Sequence, residues 1–261
     1  MGSPALVIPG DLVAALRAAR DVAVLTGAGV SAESGVPTFR DAQQGLWAQF
    51  DPRELATPAA FARNPKRVWD WYAMRREMIA RVAPNPAHFA LAELERRVPA
   101  FLLATQNVDG LHQRAGSRRV LELHGSIWRS ICSRGCGFSR DDSGGTGSPL
   151  DQAVPRDEAS GSLPPMCACG GLLRPGVVWF GEALNPAVID AAVEAVEAAT
   201  VCLVVGTSSL VFPAAGLPEL AKRAGAIVVE VNLESTPLTP LADFVLRGPA
   251  GVVLPALEAC L

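Results

Sequence analysis

Four of the six cysteines stand in two close pairs, Cys132 with Cys136 as C-x3-C and Cys167 with Cys169 as C-x-C. Four thiolates can enclose a tetrahedral zinc ion in a closed structural site, and two disulfides are the other use of such pairs. Cys202 in an apolar run and Cys260 near the end of the chain have the setting of ordinary apolar thiols. Gly27-Ala28-Gly29-Val30-Ser31-Ala32 fits the G-x-G-x-x-A form of a dinucleotide fingerprint. Glycines let a backbone approach a pyrophosphate, and the amides of a following helix favour negative charge. A tight turn without a ligand satisfies the same pattern, and the acidic ribose ligand usual about 20 residues on is unconvincing here. Asn107 and Asp109 beside Gly110 could hold a polar ligand or simply form a turn. Of the three histidines, His88, His112 and His124, any one alone is more readily a satisfied core residue than a base, although an imidazole with a pKa near 6.5 suits proton transfer at neutral pH. Tyr72 and Arg75, three residues apart, share one face of a helix. The arginine fork and the phenol could together hold a carboxylate. The competing reading is a solvated face of Arg75, Arg76 and Glu77 with Tyr72 packed on the core.

These residues need a frame. The chain has 261 residues, 49% hydrophobic and 19% charged, enough for one large domain or a core with a smaller module. A net charge of −3 argues against a nucleic-acid binder that works by phosphate neutralisation and favours a peptide or small-molecule partner. Val22 to Leu25, Phe101 to Ala104, Val201 to Val205 and Ile227 to Val231 read as buried strands. Helical patterns lie at Leu12 to Arg20, 186 to 199 and 214 to 224, and between 53 and 97 as helices broken at Pro58, Pro65, Pro84 and Pro86. Strands alternating with helices predict an α/β fold whose parallel sheet is covered on both faces. Residues 132 to 170 break the rhythm, with a Gly/Ser/Asp/Pro-rich middle from Asp141 to Pro165, and read as an inserted module with a flexible excursion outside that sheet. No run reaches about 18 apolar residues, and the N-terminus lacks the features of a secretory signal, so a cytoplasmic location with reduced thiols is expected.

The string from Thr26 to Arg40, TGAGVSAESGVPTFR, resembles the NAD-binding signature of the sirtuin (Sir2) family. The resemblance continues at Thr105-Gln106-Asn107-Val108-Asp109-Gly110-Leu111-His112 and Leu123-His124-Gly125. It resumes at Leu173-Arg174-Pro175, Val178-Trp179-Phe180-Gly181-Glu182, Gly206-Thr207-Ser208 and Val231-Asn232, in family order from residue 21 to about 255. It implies a Rossmann-like parallel sheet covered by helices, with a smaller helical segment and an inserted zinc-binding module. The 1–261 chain would be a single catalytic unit, its core over 1–39, 86–128 and 176–261, the helical module over 40–85 and the zinc module over 129–175.

The same resemblance implies NAD-dependent removal of acyl groups from protein lysines. The acyl oxygen attacks the nicotinamide ribose, nicotinamide leaves, a histidine base helps a ribose hydroxyl attack the imidate, and water completes O-acyl-ADP-ribose. His124 matches the base, and Asn107 and Asp109 the residues that position ribose and carboxamide. Cofactor contacts are implied for Gly27, Ala28, Gly29, Ser31, Glu33, Thr38, Phe39, Arg40, Gln106, Gly206, Thr207, Ser208, Asn232, Leu233, Glu234 and Ala250. Val178, Gly181 and Glu182, with Leu210 and Val211 opposite, match the cleft where a substrate peptide adds as a strand. Cys132, Cys136, Cys167 and Cys169 match the family's structural zinc ligands, although C-x3-C departs from the commoner C-x2-C spacing. His88 and His112 are expected to be structural. Tyr72 and Arg75 resemble the pattern of the sirtuin class that removes succinyl, malonyl or glutaryl groups, and small Ala42 and Ala59 could widen the acyl pocket. General lysine deacetylation and mono-ADP-ribosyl transfer are the alternatives.

Overall fold

The computed structural model describes residues 7–37, 51–143 and 163–261. Thr38, Phe39, Arg40 and Ala42 lie outside the described residues, as does most of the stretch expected to be a flexible excursion.

Six strands form one sheet: β1 (Asp21–Thr26), β2 (Ala100–Thr105), β3 (Val120–Glu122), β7 (Val201–Val205), β8 (Ile227–Asn232) and β9 (Phe244–Arg247). Their order is β3-β2-β1-β7-β8-β9, and every pairing is parallel. A parallel strand buried on both faces needs apolar side chains at successive positions, which Val22-Ala23-Val24-Leu25 and Val201 to Val205 supply. Successive side chains point to opposite faces, so Val22 and Val24 join one core and Ala23 and Leu25 the other. The first core is closed by α1 (Gly10–Ala18), α5 (Pro86–Arg97) and α9 (Ala250–Glu258). The second is closed by α7 (Pro186–Ala198) and α8 (Leu217–Arg223). The sequence located the four central strands, and it missed β3 and β9, which are short edge strands with little apolar pattern.

The remaining elements make a second layer. The strands β4 (Gly125–Cys132), β5 (Ser139–Asp141) and β6 (Leu173–Val177) form an antiparallel sheet in the order β5-β4-β6. Its ladder, rather than side-chain alternation, holds it, which explains why this stretch has no legible period. Against it pack α3 (Pro58–Arg63) and α4 (Pro65–Ala80) through Phe61, Val68, Trp71, Tyr72, Ile79, Ile127, Val177 and Trp179. Pro58, Pro65 and Pro86 open helices rather than break them. Each occupies the first helical position, where its missing N–H costs nothing. Thr57, Asn64 and Asn85 just before them accept a hydrogen bond from the first turn. Only Pro84 lies in a connection. The short helices α2 (Gly29–Ala32) and α6 (Leu111–Arg114) follow β1 and β2. Among the described residues no helix is long and apolar enough to cross a membrane.

Candidate active site

The chain leaves β1 toward β2 on one side and later returns to β7 on the other, so the connections diverge between β1 and β7. Open α/β sheets bind ligands at such a switch point, outside the carboxyl ends of the strands. The glycine turn after β1, Gln106 to Asp109 after β2, Gly206 to Ser208 after β7 and Asn232 after β8 all emerge there. Three hydrogen bonds tie these ends together. Gln106 Nε2 donates to Thr207 Oγ1 (3.0 Å), Gly29 N to Gly206 O (2.8 Å), and Asn232 Nδ2 to Thr207 O (2.7 Å).

Gly27 and Gly29 face protein. A Cβ on Gly27 would stand 2.8 Å from Thr207 Cβ, and one on Gly29 would stand 2.7 Å from Gly206 O. Both glycines therefore let the β1 turn press against the β7 turn, whatever else the loop binds. Gly206 returns the fit with φ +59, and a Cβ there would meet Val30 N at 2.5 Å. Ala28 caps α2. Glu33 accepts from Gly251 N, so its carboxylate ties the β1 segment to the first turn of α9, next to Ala250. Leu233 and Glu234 lie exposed beyond β8.

Beneath the mouth sits a buried polar network centred on Ser31, whose side chain is fully enclosed. Asn85 N donates to His88 Nδ1 (3.2 Å), which leaves the proton on Nε2, 3.3 Å from Ser31 Oγ. Asn107 Nδ2 also donates to Ser31 Oγ (3.0 Å), and Ser31 donates onward to Asp109 Oδ2 (2.8 Å). The other Asp109 oxygen accepts from Leu111 N (2.9 Å), and Trp128 Nε1 donates to the Asp109 carbonyl (2.7 Å). Burial pushes the Asp109 carboxyl up, against the pull of Leu111 N–H and the Ser31 hydroxyl. Burial lowers the His88 imidazole to about 4, helped by the charge of Arg114, and holds His112 well below the usual range. His112 Nε2 lies 3.0 Å from Thr26 Oγ1. Ser31 thus underpins Asn107 and Asp109 from below. No motif connects His88 with them, although Asn85-Pro86-Ala87-His88 is legible as a helix start.

His124 stands at the junction of the two sheets. Its backbone carbonyl accepts from Val178 N (2.8 Å), and Gly125 after it has φ +75 where a Cβ would meet Gly176 O at 2.2 Å. Its Nδ1 lies 3.0 Å from the Gln106 carbonyl. A carbonyl only accepts, so Nδ1 carries the proton and Nε2 is left as the basic atom. Burial lowers the imidazole below its ordinary value, partly offset by the Gln106 carbonyl, which keeps the ring neutral near pH 7.

Tyr72 and Arg75 share one face of α4, with the Arg75 guanidinium carbon 4.9 Å from the Trp71 ring centre and 5.6 Å from that of Tyr72. Asp109 and Arg75 lie close enough to influence each other's charge, which places this face beside the β2 loop. The solvated-face reading fails for Arg76, which is 4% exposed. Its guanidinium reaches Ile127 O (2.6 Å), Arg129 O (3.2 Å) and Asp142 Oδ2 (3.2 Å), fastening α4 to the small sheet. Tyr72 is buried and accepts from Trp179 Nε1 (3.0 Å). Trp179 is held in turn: Arg174 lies over its ring at 3.5 Å, and Glu182 Oε2 accepts its N–H at 2.8 Å. Arg174 and Glu182 pair through both guanidinium nitrogens and both carboxylate oxygens. The Glu182 carboxylate therefore braces the cleft wall from within. Gly181 (φ +87) and Phe180 are exposed beside Val178. Leu210, Val211 and Phe212 expose apolar side chains on the β7 loop. Ala59 is an exposed residue of α3.

The four thiols of Cys132, Cys136, Cys167 and Cys169 converge within 4.8 Å of one another. Cys132 Sγ and Cys169 Sγ are 3.4 Å apart, and Cys136 Sγ and Cys167 Sγ 3.6 Å. Tetrahedral zinc with bonds of about 2.3 Å needs sulfurs about 3.8 Å apart, so this donor set fits zinc, and the thiols are not joined as disulfides. The unusual spacings are accommodated by tight turns, Gly135 N to Cys132 O (3.1 Å) and Gly170 N to Cys167 O (2.8 Å). Cys202 is a buried strand residue whose thiol burial pushes up to about 12.

Comparison with known proteins adds an independent line. The model of the Sir2 family matches residues 27–213. An NAD-dependent protein deacylase of Ralstonia nicotianae is 53% identical over 252 residues, 96% of each chain. NAD-dependent protein deacylase 2 of Pyrobaculum aerophilum is 53% identical over 93% of this chain and 91% of its own. Among solved structures, a Sir2 homolog–NAD complex superposes with a TM-score of 0.85 at 46% identity, over 99% of this chain and 95% of that one. A Sir2–p53 peptide–NAD+ complex does so with a TM-score of 0.80 at 31% identity, over 97% and 98%. Likeness of this extent covers both layers and every loop that meets at the switch point, and the chain belongs to the Sir2 family.

Proposed function

We propose that the protein is an NAD-dependent protein lysine deacylase that favours acidic acyl groups, succinyl, malonyl or glutaryl, and releases nicotinamide and O-acyl-ADP-ribose. The observation that carries the reaction is the fixed tautomer of His124. With Nδ1–H on Gln106 O, Nε2 can take a proton from a ribose hydroxyl while the ring stays neutral beforehand. NAD supplies the electrophilic ribose carbon when bound. Asn107, its amide nitrogen engaged by Ser31, would turn its carbonyl oxygen to the ribose, and Asp109, held by Ser31 and Leu111 N, would position the nicotinamide carboxamide. Gly27, Ala28, Gly29, Gly206, Thr207 and Ser208 would line the phosphates, and Asn232 to Glu234 with Ala250 the adenosine end. Ser31 and Glu33 would act through the groups they hold.

Relatives named NAD-dependent protein deacylase and a neighbour solved with both a peptide and NAD+ support a peptide substrate. The segment after β6 that exposes Phe180 and Gly181 and the loop that exposes Leu210 to Phe212 are the two edges between which it would add by main-chain pairing. Tyr72 and Arg75, one donor and one fork on one face near Asp109, support the acidic acyl preference. The cysteine cluster would hold one structural Zn2+ that closes the small sheet, and the chain would work as a single catalytic unit made of the sheet core, the helical segment and that module.

The test is product analysis with an acyl-lysine peptide and NAD. One nicotinamide and one O-acyl-ADP-ribose per lysine freed, with O-acyl-ADP-ribose and freed lysine lost in His124→Ala, is the expected result. ADP-ribosylated protein without O-acyl-ADP-ribose would instead establish a transferase.

A further inference from the structure

The Tyr72 phenol has a fixed partner within the core. The indole Nε1 of Trp179 donates to the phenol oxygen of Tyr72 at 3.0 Å, both side chains being 3% exposed. An indole N–H can only donate, so the Tyr72 oxygen must accept. A phenol proton prefers the ring plane and has two such positions; the indole bond takes the acceptor direction on its own side and turns the proton away from the indole, and Arg75 also interacts with this phenol. Burial pushes the Tyr72 phenol up, which keeps that proton in place across the working pH range.

Trp179 itself has little freedom to tilt. Arg174 lies 3.5 Å over its ring, Glu182 accepts its backbone N–H, and the Arg174–Glu182 pair locks those two contacts to each other. Phe61 packs against it with ring centres 5.4 Å apart. A clamp of this completeness on one indole is more than filling the core requires, and its one outward polar consequence is the direction of the Tyr72 proton.

We infer that Trp179 is a specificity-positioning residue: it aims the Tyr72 hydroxyl as a donor toward the carboxylate of an acidic acyl group, with Arg174 and Glu182 fixing the indole. This rests on the reading of Tyr72 and Arg75 as the acyl selector. The inference assigns the selector three layers, Arg75 and Tyr72 at the acyl group, Trp179 behind Tyr72, and the Arg174–Glu182 pair behind Trp179.

Trp179→Phe removes the donor and keeps an aromatic ring at the position, and the loss of packing it brings falls on both acyl substrates alike. A neutral hydrogen bond of about 0.5–1.5 kcal/mol corresponds to about two- to tenfold in rate. The expected result is that kcat/KM for succinyl-lysine peptide falls about three- to tenfold more than for the acetyl-lysine peptide of the same sequence. In a Tyr72→Phe background the same substitution should add nothing to the ratio, since the hydroxyl to be aimed is gone. Should Trp179→Phe fail to fold, the indole N–H resonances of the wild type and of Tyr72→Phe carry the test. The chain has five tryptophans, and one indole resonance should shift on Tyr72→Phe and on adding succinyl-lysine peptide, but not on adding the acetyl form. Equal losses on both acyl groups, or an undiminished effect of Trp179→Phe without the Tyr72 hydroxyl, overturn the positioning role and leave the selector standing. A wild-type enzyme with no acidic preference overturns both.

Discussion

His124 is a half-buried imidazole and His88 a fully buried one, and their partners give them opposite duties. His124 has its Nδ1 proton bound to a carbonyl and Nε2 at the mouth of the site; His88 has both nitrogens engaged by Asn85 and Ser31. Replacing His124 with Ala should lower kcat about 10²–10⁴-fold, the usual worth of a positioned base. Because burial lowers its pKa, the acid limb of the kcat/KM profile should fall below the ordinary imidazole value of about 6.5. A limb at or above that value would contradict the burial seen here. For His88 the consequence is stability. Its folded pKa of about 4 lies below the unfolded value, so the unfolded chain binds the proton first as pH falls through 6.5. Stability should drop by up to about 3 kcal/mol between pH 6.5 and 4 on this account and level off below. Denaturant melts at pH 7 and 4.5 check it, and His88→Gln should flatten the dependence in that window.

At the scale of elements, the β1 and β7 turns lock through glycines and α4 is bolted to the small sheet through Arg76. Gly29→Ala would drive a Cβ to 2.7 Å from a backbone oxygen that cannot yield without moving the β7 turn. It should cost about 1–3 kcal/mol and weaken NAD binding, measurable by thermal melts and titration calorimetry. Arg76→Met would leave the nearly buried Asp142 with only Arg140 and Ser130 as partners and should cost about 2–4 kcal/mol. Continuous apolar runs such as Val201 to Val205 made the central strands legible in the sequence, and Thr57, Asn64 and Asn85 before prolines made the helix starts so in principle. The small sheet was not legible, because β4 and β6 are held by ladder bonds, a glycine contact and thiols, none of which has a period. For the site, motif residues announced Asn107, Asp109 and His124. The residues that hold Asn107 and Asp109, Ser31 with His88 behind it and Trp128, and those that hold Tyr72, Trp179 with Arg174 behind it, met only once the chain had folded. The glycines were legible as a turn, and their packing against Gly206 and Thr207 was not.

As a whole, the molecule joins two layers at one site. The parallel sheet carries the loops that meet at the switch point, the helical segment carries Tyr72 and Arg75 against the small sheet, and His124 stands where the layers join. The cysteine cluster gathers at the end of the small sheet, so one Zn2+ per chain is expected by elemental analysis. Stripping it, or Cys167→Ser, should lower Tm; metal-free protein melting unchanged would remove zinc from the reading. The most direct test of the combined reading compares kcat/KM on one peptide carrying acetyl-, succinyl- or glutaryl-lysine at saturating NAD, for the wild type and Arg75→Met. A charged hydrogen bond of about 1.5–3 kcal/mol corresponds to a preference of about ten- to a hundredfold for the acidic groups, collapsing in Arg75→Met while acetyl turnover persists. Acetyl turnover equal to or better than succinyl in the wild type would contradict it and leave Tyr72 and Arg75 as parts of a general deacetylase.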